Sequence, residues 1–179
     1  LKVLWVEDPC DMANLEVSQL HRLRGCANDL GLRVAGGEKI LDFNELMRLL
    51  AREGHDVILP DLRYTGLMQG LAMMRLAGSQ GVELSLHNPV GPVLNAIAVH
   101  AASALPNFII LERQLGETPL YEEIVDSQME ANGGNVFVPT AAGLGVSLRK
   151  EHLKLVSACE NSMRLTQTFS GIPGAGPDA

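Results

Sequence analysis

Five short apolar runs recur along the chain, over residues 3–6, 32–35, 57–59, 82–86 and 108–111. Each has the length of a strand, and their near-continuous apolar character suits a parallel sheet covered on both faces. The segments between them carry helical spacing. The clearest stripe is Phe43, Leu46, Met47 and Leu50, with Asp42 and Glu45 as a capping pair before it and Gly54 as its stop. A second helix carries Leu71, Met74 and Leu76 up to Gly78. A third starts at Pro92, a favoured first-turn residue, and ends before Pro106. Strand and helix alternate at a spacing that allows right-handed crossovers, which fixes the class as α/β. The pattern leaves open whether the sheet is an open, doubly wound one or a slice of a barrel. After Glu112 the sequence becomes loop-like, punctuated by Gly133-Gly134 and Gly143-Leu144-Gly145, and a Gly- and Pro-rich tail at 161–179 is expected to be disordered.

Composition narrows the setting. The 179 residues are 46% hydrophobic, enough for one sizeable core. A net charge of −7 gives no basic stripe for nucleic acid. No apolar run reaches the length of a membrane span, and the opening residues are expected to be strand rather than signal peptide. Cys10, Cys26 and Cys159 are an odd count without C-x-x-C spacing, which reads as reduced thiols and a cytoplasmic location. Leu1 already lies in a strand pattern, so the chain is expected to be truncated at its amino end.

The residues that close the apolar runs carry the chemistry. The first run ends at Glu7-Asp8-Pro9, the second at Gly37-Glu38, the third at Pro60-Asp61, the fourth at His87-Asn88 and the fifth at Glu112. In parallel α/β folds the carboxyl ends of the strands open into one mouth, where active sites lie. Four acids and a histidine gathered there repel one another unless a cation or hydrogen bonds offset the charge. His21, His55, His100 and His152 end no strand and read as ordinary satisfied polar residues. Met68, Met73 and Met74 read as core or helix filler.

These strand ends resemble the mandelate racemase/muconate lactonizing enzyme branch of the enolase superfamily, and its acid-sugar dehydratases in particular. Trp5-Val6-Glu7-Asp8-Pro9 is similar to the family's W-x-E-E-P, with Asp8 in place of the second glutamate. Gly37-Glu38 resembles its next metal-ligand strand end. Leu59-Pro60-Asp61-Leu62-Arg63-Tyr64 resembles the stretch bearing the aspartate of a His-Asp dyad. His87-Asn88-Pro89-Val90-Gly91-Pro92-Val93 resembles the catalytic-histidine segment of the dehydratases. Pro106-Asn107-Phe108-Ile109-Ile110-Leu111-Glu112 resembles the last barrel strand, and Val138-Pro139 with Gly143-Leu144-Gly145-Val146 the return beyond it. One departure is that Gly66 is followed by Leu67 where the family has a second glycine.

The resemblance implies the carboxy-terminal part, about strands four to eight, of a modified TIM-like (β/α)7β barrel without the amino-terminal capping domain. The partial barrel is expected over 1–115 and the return segment over 116–160. Glu7 and Glu38 are implied as Mg²⁺ ligands, an ion that takes hard oxygen donors. The metal is implied to bind a substrate carboxylate and stabilise the enediolate left when the α-proton departs. The implied catalytic set is His87 as general acid or base, Asp61 orienting its ring and raising its basicity, and Glu112 hydrogen-bonding the substrate carboxylate as the protonated acid. The expected reaction is dehydration of a sugar acid by a homo-oligomeric full-length protein. Racemisation, epimerisation or cycloisomerisation are the alternatives within the superfamily. With a third metal ligand and a second acid/base group expected upstream, this polypeptide alone is expected to be inactive.

A rival class remains. Val3-Leu4-Trp5-Val6-Glu7-Asp8-Pro9 and the stretch from Asp56 to Arg63 also resemble a response-regulator receiver domain, with Asp61 as phosphoryl acceptor and Mg²⁺ held by Glu7 and Asp8. A receiver carries a hydroxyl residue after its fourth strand and Lys-Pro after its fifth. Here His87-Asn88-Pro89 and Glu112-Arg113 stand in those places, which favours the barrel.

Overall fold

The computed structural model describes residues 2–114, 120–127 and 129–149. The 161–179 tail, His152 and Cys159 lie outside the described residues. In chain order the elements are β1 (Trp5–Glu7), a 3₁₀ turn (Met12–Asn14), α1 (Val17–Asp29), β2 (Arg33–Gly36), α2 (Phe43–Ala51), β3 (Val57–Ile58), α3 (Leu62–Thr65), α4 (Leu67–Ser79), β4 (Glu83–Leu84) and α5 (Pro92–Ser103). Beyond them come α6 (Leu120–Glu123), β5 (Val125–Ser127), β6 (Ala131–Asn132), β7 (Asn135–Val136) and β8 (Val146–Leu148).

The first four strands form one parallel sheet in the order β1-β2-β3-β4. A doubly wound sheet reverses its order at a switch point, whereas this one advances by one strand at each crossover, as a barrel wall does. Side-chain alternation divides the sheet's faces. Val34, Ile58, Leu84 and Leu86 turn outward into two clusters with the helices, one built on Leu20 and Ala27 of α1, the other on Leu46, Leu50, Met73, Met74 and Ala98. Ala35, Val57 and Leu59 turn the other way, with Trp5 and Ile109 against them. Met73 and Met74 are core as expected. Met68 is 80% exposed, because the α4 stripe turns it to the surface, and it fills nothing.

The capping pair holds: Glu45 N–H donates to Asp42 Oδ1 at 2.9 Å, and Leu41 N–H donates back to Glu45 Oε2 at 2.7 Å. The stop of α2 differs from expectation. Glu53, at φ 50°, makes the left-handed turn, while Gly54 lets Leu20 approach to 3.3 Å of where its Cβ would be. Helix α1 lacks a wide apolar stripe, since only Leu20 and Ala27 are buried. Asp56 pins it instead, accepting from Arg24 Nε (2.7 Å), Asn28 Nδ2 (2.9 Å) and the buried Val34 N–H (2.8 Å). Burial pushes the Asp56 carboxyl up, but those bonds outweigh it and hold it below the usual range.

The fifth apolar run is not a ladder strand. It meets β4 through a single bridge, Leu84 to Phe108, flanked by Leu84 N–H to Asn107 O and Ile109 N–H to Leu84 O. Side chains supply the rest of the zipper: Asn107 Nδ2 donates to Val82 O (2.6 Å) and Ser85 Oγ to Ile110 O (2.7 Å). Asn107 fits only because Gly78 has no Cβ, which would stand 2.6–2.7 Å from its amide. Gly78→Ala gains about 1 kcal/mol of helix propensity and loses about 1–3 kcal/mol by overpacking. The expected result is a net destabilisation of about 1 kcal/mol, read as a lower urea midpoint; a stabilised variant would show that Asn107 can move without cost. The expected loop character of the return segment is also only partly right, since β5 pairs with β8 and β6 with β7, both antiparallel.

Candidate active site

The ends of the first four runs lie at the carboxyl edge of the parallel sheet, as parallel crossovers require, and the fifth run, which leads to Glu112, lies parallel beside β4. Asp61 is delivered by the buried stretch of residues 57–60 and is itself fully buried. It caps α3, accepting the Arg63 N–H on Oδ1 at 2.7 Å. Its Oδ2 accepts from Arg63 Nε (2.8 Å) and Nη2 (2.5 Å) and meets His87 Nδ1 at 2.9 Å. Burial pushes the Asp61 carboxyl up, but the Arg63 and His87 bonds prevail and keep it below the ordinary carboxylate range.

His87 is bracketed. Its Nδ1 faces Asp61 and its Nε2 lies 3.1 Å from Glu38 Oε2. The Nδ1 contact is a hydrogen bond to a carboxylate that can only accept, so Nδ1 carries the proton there. On the other side of the ring Nε2 faces Glu38 at ion-pair distance, which sets the imidazole between two carboxylates. Glu38 also stands 3.4 Å from Lys39 Nζ. Glu112 joins through the backbone, its Oε2 accepting the Asn88 N–H at 3.0 Å.

Glu7 is exposed, and its Oε2 accepts the Trp5 indole N–H at 3.0 Å. Side-chain contacts thus link Glu38, His87 and Asp61, with Glu112 held to Asn88 beside them, while Glu7 is bonded to Trp5. Asp8 takes the left-handed conformation at φ 37°, one that aspartate tolerates better than most residues. Burial and the neighbouring Glu38 push its carboxyl up, with Lys39 opposing.

Among the described residues no three acid, histidine or cysteine side chains converge closely enough to hold a metal ion. Glu7 and Glu38 nonetheless close adjacent, paired strands and offer hard oxygen donors of the type Mg²⁺ takes. Each donor is engaged elsewhere in this arrangement, Glu7 by Trp5 and Glu38 by His87. The donor chemistry of these two carboxylates fits such an ion.

The other histidines divide. His21 Nε2 contacts Arg52 O at 3.1 Å and His100 Nε2 contacts Leu144 O at 3.3 Å, as satisfied polar residues do. His55 does not conform. Its Nδ1 is buried without a partner among the described residues, and burial, with Arg52's charge, pushes its pKa down to about 4. Sequence reasoning missed Arg63, whose guanidinium takes most of Asp61 and lies 5.6 Å over the Tyr64 ring. The signal was its place two residues after an N-capping aspartate. It also missed the buried pair Asn88 and Asn95, polar residues with no periodic pattern to mark them. The receiver reading fails here: Asp61 is sealed from solvent, with both carboxylate oxygens occupied.

Comparison with known proteins agrees. The Enolase C-terminal domain-like family model matches residues 1–152. D-xylonate dehydratase of Haloferax volcanii is 26% identical over 147 residues, 82% of this chain and 34% of the relative. D-gluconate dehydratase of Thermoproteus tenax is 27% identical over 152 residues, 84% of this chain and 30% of the relative. Among solved structures, a mandelate racemase/muconate lactonizing enzyme from Jannaschia sp. CCS1 superposes with a TM-score of 0.67 at 30% identity, over 83% of this chain and 36% of that one. The 3,6-anhydro-D-galactonate cycloisomerase of Zobellia galactanivorans reaches 0.72 at 24% identity, over 82% and 40%, a likeness of fold. The chain spans about a third of the length of these curated relatives. The match over residues 1–152 places the chain in the Enolase C-terminal domain-like family, and the sequentially ordered parallel strands agree with that family's barrel-like α/β domain.

Proposed function

We propose that the full-length protein removes the proton α to the carboxylate of a sugar acid and expels the β-hydroxyl as water. The observation that carries this reading is the bracketing of His87 by Asp61 and Glu38. Asp61 fixes the ring by holding Nδ1–H, which leaves Nε2 as the reacting nitrogen. With Nε2 unprotonated and Glu38 turned from it, that nitrogen is a base for the α-proton. Recharged by that proton, it is the acid that the leaving hydroxyl needs. Glu112 hydrogen-bonds the substrate carboxylate through the oxygen that Asn88 leaves free. Mg²⁺, with Glu7 and Glu38 among its ligands, supplies the positive charge that offsets the carboxylate and eases loss of the α-proton.

The test is a screen of sugar acids with the full-length protein and Mg²⁺, scoring keto-acid product and its disappearance with EDTA. Glu38→Gln is expected to weaken Mg²⁺ binding at least about tenfold, measured calorimetrically. Turnover that yields only an isomer moves the assignment to the racemases, epimerases and cycloisomerases; no turnover with any sugar acid sinks the dehydratase reading.

A further inference from the structure

Behind His87 and Glu112 lies a pair of asparagines, Asn88 and Asn95, each only 1% exposed. Asn88 Nδ2 donates to Glu112 O at 2.9 Å and to Asn95 Oδ1 at 3.0 Å, while the Asn88 backbone N–H donates to Glu112 Oε2 at 3.0 Å. The orientation is forced. A carbonyl can only accept, so the atom facing Glu112 O must be the amide nitrogen, and the Asn95 atom facing that nitrogen must be its oxygen.

The clamp matters because the run that carries Glu112 has a single bridge to β4. A ladder would fix the position of Glu112 relative to His87; here Asn88 takes over that task at the mouth. Asn95 sits in the first turns of α5, a twelve-residue helix whose Pro92 start and buried face make it a firm support. The arrangement carries a cost, for Asn88 Oδ1 is buried without a partner among the described residues. An apolar pair of the same size would remove that orphan and pack as well, but would strip Glu112 O of the donor it has here. Packing alone therefore does not account for the asparagines.

We propose that Asn95 is a positioning residue: it orients the Asn88 side chain, and through it sets the spacing between His87 and the Glu112 carboxyl. The hydrogen-bond part stands on geometry; the catalytic consequence rests on the proton-abstraction reading above.

The experiment compares Asn95→Leu, which removes the accepting oxygen, with Asn95→Asp, which keeps it, in the full-length protein. Amide hydrogen exchange at Asn88 reads the bond to Glu112 directly, and kcat, KM and Tm are measured beside it. Asn95→Leu is expected to speed Asn88 exchange and lower kcat per folded molecule, each by about ten- to a hundredfold, with KM changing less. Asn95→Asp is expected to stay near wild type in both. Unchanged exchange at Asn88 in folded Asn95→Leu overturns the proposal, as does unchanged kcat. Asn95→Ala carries the same expectation without added bulk. Failure of both oxygen-free variants to fold assigns the residue to stability and also overturns it. A wild-type protein inactive on every sugar acid sinks the reading of function, while the exchange measurement still decides the clamp.

Discussion

His87→Asn is expected to lower turnover of the full-length protein by about 10²- to 10⁴-fold, the ordinary worth of a positioned acid/base group, with Mg²⁺ affinity undiminished. Asparagine is of similar reach and can still donate an N–H to Asp61, so the fold around it has little to lose. It cannot exchange a proton near neutral pH, and that loss is the whole of the expected effect. Nor is the metal donor set harmed. Glu38 Oε2 lies 3.1 Å from His87 Nε2, so removing the imidazole frees that carboxylate. Turnover and Mg²⁺ titration on one preparation separate the two outcomes. Unchanged turnover would remove His87 from the chemistry; a large fall in Mg²⁺ affinity would mean that the imidazole supports the metal site.

The parallel sheet was legible because each run is short, mostly apolar and closes on an ionisable residue, features that do not depend on tertiary context. The same logic explains what was not legible. The run ending in Glu112 is as apolar as the others, yet beyond its one bridge its partner bonds come from Asn107, Ser85 and Asn88 side chains rather than from a ladder. Side-chain zippers leave no period-2 trace. Helix α1 was unmarked because a carboxylate, Asp56, holds it more than a stripe does. At the site, a strand-end rule finds acids and histidines and is blind to what shares them. The resemblance, not the strand-end rule, implied Asp61 beside His87, and the two lie 2.9 Å apart; neither marked Arg63 two residues on. For Glu7, position at a strand end says nothing about where a flexible side chain turns, and here Trp5 Nε1 donates to it.

Arg63 shapes the second large effect. Asp61→Asn is expected to lower turnover by about 10²- to 10⁴-fold and to destabilise the fold by about 1–3 kcal/mol. Four donors converge on the wild-type carboxylate, three from Arg63 and one from His87. An asparagine must present an amide nitrogen to one side. Turned toward Oδ2 it opposes the guanidinium and the imidazole; turned toward Oδ1 it loses the cap on α3. Either way His87 loses the charge that favours a proton on Nδ1. The pH dependence separates this from a general loss of packing. The folded Asp61 carboxyl lies below its unfolded value of about 3.9, so its stabilisation is present above that pH and is lost as pH falls through the folded value. The stability gap between wild type and Asp61→Asn should therefore be constant near neutrality and narrow below about pH 4. A gap that persists unchanged into strong acid would mean that the charge on Asp61 does not hold this site together.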